Sequence, residues 1–310
     1  MANLASKAVP CLPRWLVPAV TMLIAFSAPL RAEEVTQQFR NLTVNANLEL
    51  AEGKDFSDGV VLMLHGLMAH NRMEIMRTFQ DVFKDNGQSS LAINLSLGLN
   101  NRHGSYDCAL PHRHRLSDAP DELEAWVGWL KTKGANRITL IGHSIGANQV
   151  LVFAAERDDP AITGVILLAP STRSYERLSA RYETRYKKKL ADELARAQSL
   201  IAAGKGDELM EKVDFLYCPA ATVTPTAFYE YYHDHRFGNV PSFLQRLKKP
   251  TLVIAAGMDE LQPDVAKRVA PFVDGKKIHL VVIEGSGHFF RDLFTDDAVE
   301  AAVAFMAASK

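Results

Sequence analysis

The stretch Ile138-Thr-Leu-Ile-Gly-His-Ser-Ile-Gly146 decides how this 310-residue chain is read. Ile138–Ile141 is an apolar run, and Gly146–Arg157 repeats apolar residues at helical spacing. Gly142-His-Ser-Ile-Gly146 is therefore a turn from a strand into a helix. A serine hydroxyl is a weak nucleophile unless it is exposed, held fixed and set beside a base. A sharp strand-to-helix turn exposes it, and glycines two residues to either side relieve the crowding of that turn. Ser144 is the candidate nucleophile.

Outward from this turn, strand-like and helix-like segments alternate. Apolar runs at Val60–Leu64, Leu91–Leu95, Val165–Leu168, Leu252–Ala255 and Ile278–Ile283 read as strands covered on both faces. Leu42–Leu50 alternates polar and apolar residues, as an antiparallel strand does. Helical patterns at Met73–Phe83, Asp118–Lys133, Pro263–Val273 and Asp296–Ala308 separate most of these runs. The alternation predicts an α/β fold, a mostly parallel sheet with helices on both faces.

One segment breaks the rhythm. Ser171–Lys249 sets 79 residues between two strands, far more than a crossover helix needs. It reads as helices, with Leu190, Leu194, Ala197 and Leu200 in register over Ala180–Ala203, followed by an irregular aromatic stretch, Phe215–Phe243. Seven of the eight tyrosines fall within it. An inserted, mainly helical cap over 171–249 is expected, on a core formed by 33–170 and 250–310. Phe228, Tyr229, Tyr231 and Tyr232 are its candidate substrate contacts, the other reading being that the rings pack the cap onto the sheet.

With its serine turn between strand and helix, the chain resembles the α/β-hydrolase superfamily over nearly all of Leu42–Ala308. The branches it is similar to are the serine esterase/lipase-like and serine-aminopeptidase-like ones. Leu64-His65-Gly66-Leu67, at the end of an earlier strand, looks like that family's oxyanion-hole segment. The resemblance implies that the backbone N–H groups of Leu67 and Ile145 are the oxyanion donors, with His65 orienting the loop. Thr251-Leu-Val-Ile-Ala-Ala-Gly-Met-Asp259 puts an acid just after a strand, and Val281-Val-Ile-Glu-Gly-Ser-Gly-His288 puts a histidine after the last one. The order Ser144…Asp259…His288 is the order this family uses. Glu260 is the nearest rival for the acid and Asp264 the next. A serine at the nucleophile position removes the aspartate-based routes to carbon–halogen and epoxide bonds and leaves esters, thioesters and amides.

The expected function is cleavage of a carboxylic ester through an acyl-enzyme on Ser144, with His288 as base and acid and Asp259 orienting it. The alternatives are an aminopeptidase or amidase of the same fold, which should place cap carboxylates around a free amine, and a catalytically silent binding protein. Arg102 and His103 lie after the strand Leu91–Leu95, where open α/β sheets bind ligands, and are candidates for an anionic substrate group. The other reading of that loop is internal ion pairing, such as Arg102 with Asp107. No cofactor is implied. His112-x-His114 and His233-Asp-His235 resemble ligand pairs, but nothing specifies a third ligand, so no metal site is predicted.

Composition narrows the partners. Thirty-five basic against 36 acidic residues give a net charge of −1, so no global field draws in nucleic acid, and the expected partner is a small-molecule ester or amide. Lys7 and Arg14 precede an apolar run, Trp15–Leu30, too short for a membrane span and suited to a secretory signal. Residues 1–32 are read as a signal peptide cleaved near Ala32, giving a periplasmic or secreted chain with no stable membrane span; a retained anchor is the alternative. In an oxidising compartment Cys108 and Cys218 are able to pair, and their separation permits a bridge without predicting one.

Overall fold

The structure, a computed structural model, describes residues 1–2, 32–233, 236–238 and 240–309. The signal-peptide expectation falls almost wholly on residues 3–31 and lies outside the described residues. From Glu33 on, the chain builds an eight-stranded sheet. Its strands are β1 (Glu33–Phe39), β2 (Leu42–Glu49), β3 (Val60–Leu64), β4 (Ser89–Ile93), β5 (Ile138–His143), β6 (Ile162–Leu168), β9 (Thr251–Ala256) and β10 (Ile278–Ile283). They lie in the order β1-β2-β4-β3-β5-β6-β9-β10. β2 runs antiparallel to both neighbours, and every other pairing is parallel. The strand β1 was not anticipated, because its alternation (Val35, Gln37, Phe39) covers only a half-buried edge.

The helices are α1 (Glu74–Asp85), α2 (Ala119–Thr132), α3 (Ile145–Glu156), α8 (Val265–Val269) and α9 (Leu293–Ala308). The two faces of the sheet are written in the alternation of β3. Val61 and Met63 pack with Phe79 and Phe83 of α1 and Val299 and Ala302 of α9. Val60, Leu62 and Leu64 pack with Trp126 of α2, Val150 of α3 and Val265 of α8. Both faces are covered, which explains why the parallel strands read as unbroken apolar runs.

Register then positions the site. Leu64 of β3 pairs with Gly142 of β5, so the loops that leave those two strands start side by side. Ala256 of β9 likewise pairs with Ile283 of β10. All four strands end at the carboxyl edge of the sheet, where ligands bind in open α/β folds.

Between β6 and β9 the chain forms α4 (Tyr175–Tyr186), α5 (Leu190–Ala202), the hairpin β7 (Met210–Phe215)/β8 (Cys218–Val223), α6 (Pro225–His233) and α7 (Val240–Arg246). The Ala180–Ala203 run is not continuous. It breaks at Lys187, whose left-handed backbone (φ 56) closes α4 with its N–H on Glu183 O. Nor is Phe215–Phe243 irregular, since it spans the hairpin's second strand and two helices. β8 escaped notice because Cys-Pro-Ala-Ala-Thr-Val has no apolar alternation; it pairs with β7 on one edge and meets the loop after β4 on the other. The His112 N–H donates to Thr222 O at 2.8 Å and the Thr224 N–H donates to His112 O at 2.9 Å.

A disulfide joins Cys108 to Cys218, with Cα atoms 5.3 Å apart. It ties the loop after β4 to this hairpin. Beside it, Ser117 Oγ donates to the Glu230 carboxylate at 2.9 Å and Arg115 pairs with Asp207 at 2.7 Å. The polar loop after β4 is thus a bracket that holds the 171–249 segment to the sheet. Among the described residues, no helix is long and apolar enough to cross a membrane.

Candidate active site

Ser144 stands at the tip of β5 with φ 56 and ψ −123, a left-handed backbone that a β-carbon disfavours. The turn is possible because a side chain at Gly142 would run into the Gly146 carbonyl, and one at Gly146 into the His65 carbonyl. Ile145 opens α3, so its N–H has no intrahelical acceptor. Among the described residues the Leu67 N–H also has no acceptor. Ser144, Leu67 and Ile145 line one cavity of about 870 Å³ together with His288.

His288 and Asp259 come together as expected. The His288 Nδ1–H donates to Asp259 Oδ2 at 2.7 Å, with both residues buried. Asp259 Oδ1 accepts the N–H groups of Leu261 and Gln262, each at 2.8 Å. Burial pushes the Asp259 carboxyl up, but the His288 hydrogen bond and those two amides outweigh it and hold the group below the ordinary carboxylate range. Asp264 is engaged elsewhere, with Thr172, Arg177 at 3.0 Å and Arg268 at 2.7 Å. Glu260 is exposed.

Two further residues brace these groups. The His143 Nε2–H donates to His288 O at 2.9 Å, which ties the histidine loop to the serine turn. Burial, then the charge of His288, lowers the His143 pKa to about 3, so the ring stays neutral. Sequence reasoning passed over His143, although it sits inside the serine motif. His65 is held at both ring nitrogens. Its Nδ1–H donates to Gly66 O at 2.9 Å, and Nε2 accepts the Leu95 N–H at 3.2 Å.

Arg102 and His103 lie outside the cavity lining. Arg102 is buried and donates to Leu95 O at 2.8 Å, Ala69 O at 2.9 Å and Asn94 Oδ1 at 2.6 Å, and also to Gly104 O. Its guanidinium approaches His65 Nε2 at 3.3 Å. These partners are the carbonyls behind the Leu67 loop, and Asp107 is not one of them. His103 is exposed against Glu34 at 3.0 Å. Neither residue lines the cavity.

Of the four aromatic candidates, Tyr232 borders the cavity and the other three do not. Phe228 packs on Phe215 and Tyr232. The Tyr231 hydroxyl meets His114 Nδ1 at 2.9 Å, and that of Tyr229 accepts from Gln198 at 3.3 Å. The cavity wall is made instead by α4 and the hairpin turn, with Arg177, Arg181, Tyr182, Arg185, Leu216 and Tyr217. Arginines at positions 173, 177, 181 and 185 recur every four residues, a spacing that would have marked one helical stripe. His112 and His114 face each other at 3.2 Å, and His235 lies outside the described residues. Among the described residues, no group of three or more His, Cys, Asp or Glu is placed to hold a metal ion.

The sequence profile of the alpha/beta hydrolase family matches residues 61–304, most of the chain. The chain belongs to that family. No curated protein sequence matches this α/β hydrolase. Its fold is similar to that of Est1E from Butyrivibrio proteoclasticus, at 18% identity over 88% of this chain and 99% of that one, with a TM-score of 0.59. It is also similar to a Paleococcus ferrophilus monoacylglycerol lipase, at 16% identity over 86% and 99%, with a TM-score of 0.59. A dienelactone hydrolase from Anabaena variabilis shares 17% identity over 90% and 97%, with a TM-score of 0.55. At such identities the likeness carries the fold, and the chemistry of this hydrolase rests on its own site.

Proposed function

We propose that this α/β hydrolase cleaves carboxylic esters through an acyl-enzyme on Ser144, with His288 as general base and then acid. The observation that carries the reading is the 2.7 Å Asp259–His288 hydrogen bond, in a histidine that opens on the same cavity as the left-handed Ser144. Because Nδ1 carries the proton toward Asp259, Nε2 is left with a lone pair for the serine. His288 Nε2 takes the Ser144 Oγ proton as Oγ bonds to the ester carbon, and the carbonyl electron pair moves onto oxygen. The Leu67 and Ile145 N–H groups receive that oxyanion, each worth roughly 3 kcal/mol in the transition state. When the intermediate collapses, the C–O bond breaks and His288 gives its proton to the departing alcohol. Water repeats the sequence on the acyl-enzyme, releasing the acid and free Ser144.

The cap carboxylates bear on ester against aminoacyl substrates. Glu183, Glu193, Asp207, Glu208 and Glu230 are engaged with Ser179, Arg196, Arg115, Lys205 and Ser117. No described Asp or Glu lines the cavity, so nothing there complements a substrate's ammonium group. The chain is proposed to act in the periplasm or outside the cell, after cleavage near Ala32. The Cys108–Cys218 bridge supports this, since such bridges persist in oxidising compartments.

The test is labelling by a fluorophosphonate, which reacts with an activated serine, together with turnover of short esters. Wild-type chain should label, and Ser144→Ala should lose both labelling and roughly 10⁴-fold or more in kcat. An unlabelled wild-type chain would favour the silent binding protein. Turnover in Ser144→Ala above about a tenth of wild type would mean another nucleophile.

A further inference from the structure

Three arginines on α4, Arg177, Arg181 and Arg185, lie one helical turn apart and all reach the cavity that holds Ser144 and His288. Like charges at this spacing disfavour a helix, so the stripe carries a local cost. Arg177 is accounted for, since it pairs with Asp264 at 3.0 Å and donates to Thr172 Oγ1 at 2.8 Å. Arg181 and Arg185 are different. Among the described residues neither has a carboxylate within ion-pair distance. Arg181 donates to Leu261 O at 2.6 Å, which aims it toward the Asp259 loop, and Arg185 meets the Tyr186 phenol. Partial burial, then the charge of Arg177, disfavours the charged form of Arg181, and the Asp259 charge opposes both in part.

The rest of the lining adds Arg173, which donates to Tyr231 O, is otherwise mostly apolar, with Leu67, Met73, Leu178, Leu216, Tyr217 and Phe289, and contains no described Asp or Glu. An apolar chamber of about 870 Å³, with two exposed guanidinium groups on one wall that no described carboxylate pairs, complements a molecule that is apolar along its length and anionic at one end. Guanidinium is the side chain best fitted to a carboxylate, because it is weakly hydrated and offers paired N–H donors.

We infer that Arg181 and Arg185 are specificity residues for an ester whose acyl chain ends in a carboxylate, as in a half-ester of a dicarboxylic acid. This rests on the ester-hydrolase reading above and adds the class of substrate. The ester end lies at Ser144, the methylene chain crosses the apolar lining, and the distal carboxylate bonds to the two guanidinium groups.

The test compares mono-p-nitrophenyl glutarate with p-nitrophenyl pentanoate, which share a five-carbon acyl chain and differ in the terminal carboxylate. Wild-type chain should prefer the anionic ester by about tenfold in kcat/KM, chiefly through KM, and the preference should shrink in high salt. In the Arg181→Gln/Arg185→Gln double variant the ratio should fall to about one, and in Arg181→Glu/Arg185→Glu it should invert. A wild-type ratio near one, or a ratio that survives the double substitution, overturns the assignment.

A second arm does not depend on turnover. Titration of Ser144→Ala with monomethyl suberate and dimethyl suberate should show about tenfold tighter binding of the monoanion, lost when both arginines are also replaced. Discrimination in binding without turnover of any ester would sink the hydrolase reading and leave the anion site standing. Turnover without discrimination would do the reverse, and equal binding of the two suberates counts against the anion site in either case.

Discussion

One bond separates the roles of neighbouring acids. Asp259 turns inward, its two oxygens taken by His288 and by the Leu261 and Gln262 amides, while Glu260 faces solvent. Replacing Asp259 with Asn removes the acceptor that selects the Nδ1–H tautomer and stabilises imidazolium, so kcat should fall by roughly 10³–10⁴. Glu260→Gln should change it by less than about threefold, since an exposed charge near the site interacts through screening water. Steady-state kinetics on a short ester decides this, and a larger loss in the Glu260 variant would move the acid role there. The same logic applies to Arg102. A buried cation is tolerated only with its donors satisfied, and Arg102 satisfies them on the carbonyls behind the Leu67 loop without lining the cavity.

At the scale of elements, α6 and the β7–β8 turn divide the work that the aromatic content of this segment suggests. Phe228 on α6 is fully buried against Phe215 and Tyr232. Tyr217, at the turn, is 39% exposed and faces the cavity. Phe228→Ala should therefore cost about 3–5 kcal/mol of stability, with the acyl-length preference retained. Tyr217→Ala should barely move the melting temperature but raise KM more for long acyl esters than for acetyl esters. Melting curves alongside kcat/KM for a graded ester series separate the two effects. If Phe228→Ala reshaped the length profile in a chain as stable as wild type, the ring would have to be reassigned to substrate contact.

For the molecule as a whole, stability depends on keeping buried histidines neutral. Burial lowers His65, His114 and His143 to about 3 and His112 to about 4, with the Arg102 charge adding to the effect on His65. The unfolded chain takes up these protons near pH 6.5 and the folded chain does not, so the contribution is full above that pH. It is lost progressively as pH falls toward 4. Each histidine changes stability by about 1.4 kcal/mol per pH unit in that window, and the four together by up to about 5. Burial raises the carboxyls of Glu122 and Asp118, which oppose the loss in part. Melting temperature should therefore be level above about pH 7 and drop steeply below 6. A flat profile from 7 to 5 would mean that these rings are protonated in the fold. His112 and His114 sit where the loop after β4 meets the 171–249 segment, so acid should loosen that junction.

Features that depend on neighbours in the chain are legible before the fold is known. Val60–Leu64 and Ile278–Ile283 have the bounds that their apolar runs predict, the first as a strand buried on both faces and the second as a half-buried strand at the edge of the sheet. The serine turn was legible for a related reason, since Gly142 and Gly146 are demanded by contacts within a few residues of Ser144 and by the adjoining β3 loop. The order of serine, acid and histidine followed from which strands precede them. Tertiary structure alone decided which side chains reach the cavity. An aromatic or arginine side chain reads the same in sequence whether it fills the core, meets a carbonyl or lines a cavity. Its direction here was set by pairings across long stretches of chain, such as Cys108 with Cys218 and His112 with Thr222. Those contacts orient the hairpin, and the hairpin with α4 presents Tyr217, Arg181 and Arg185 to the site while turning Phe228 and Tyr231 into the core.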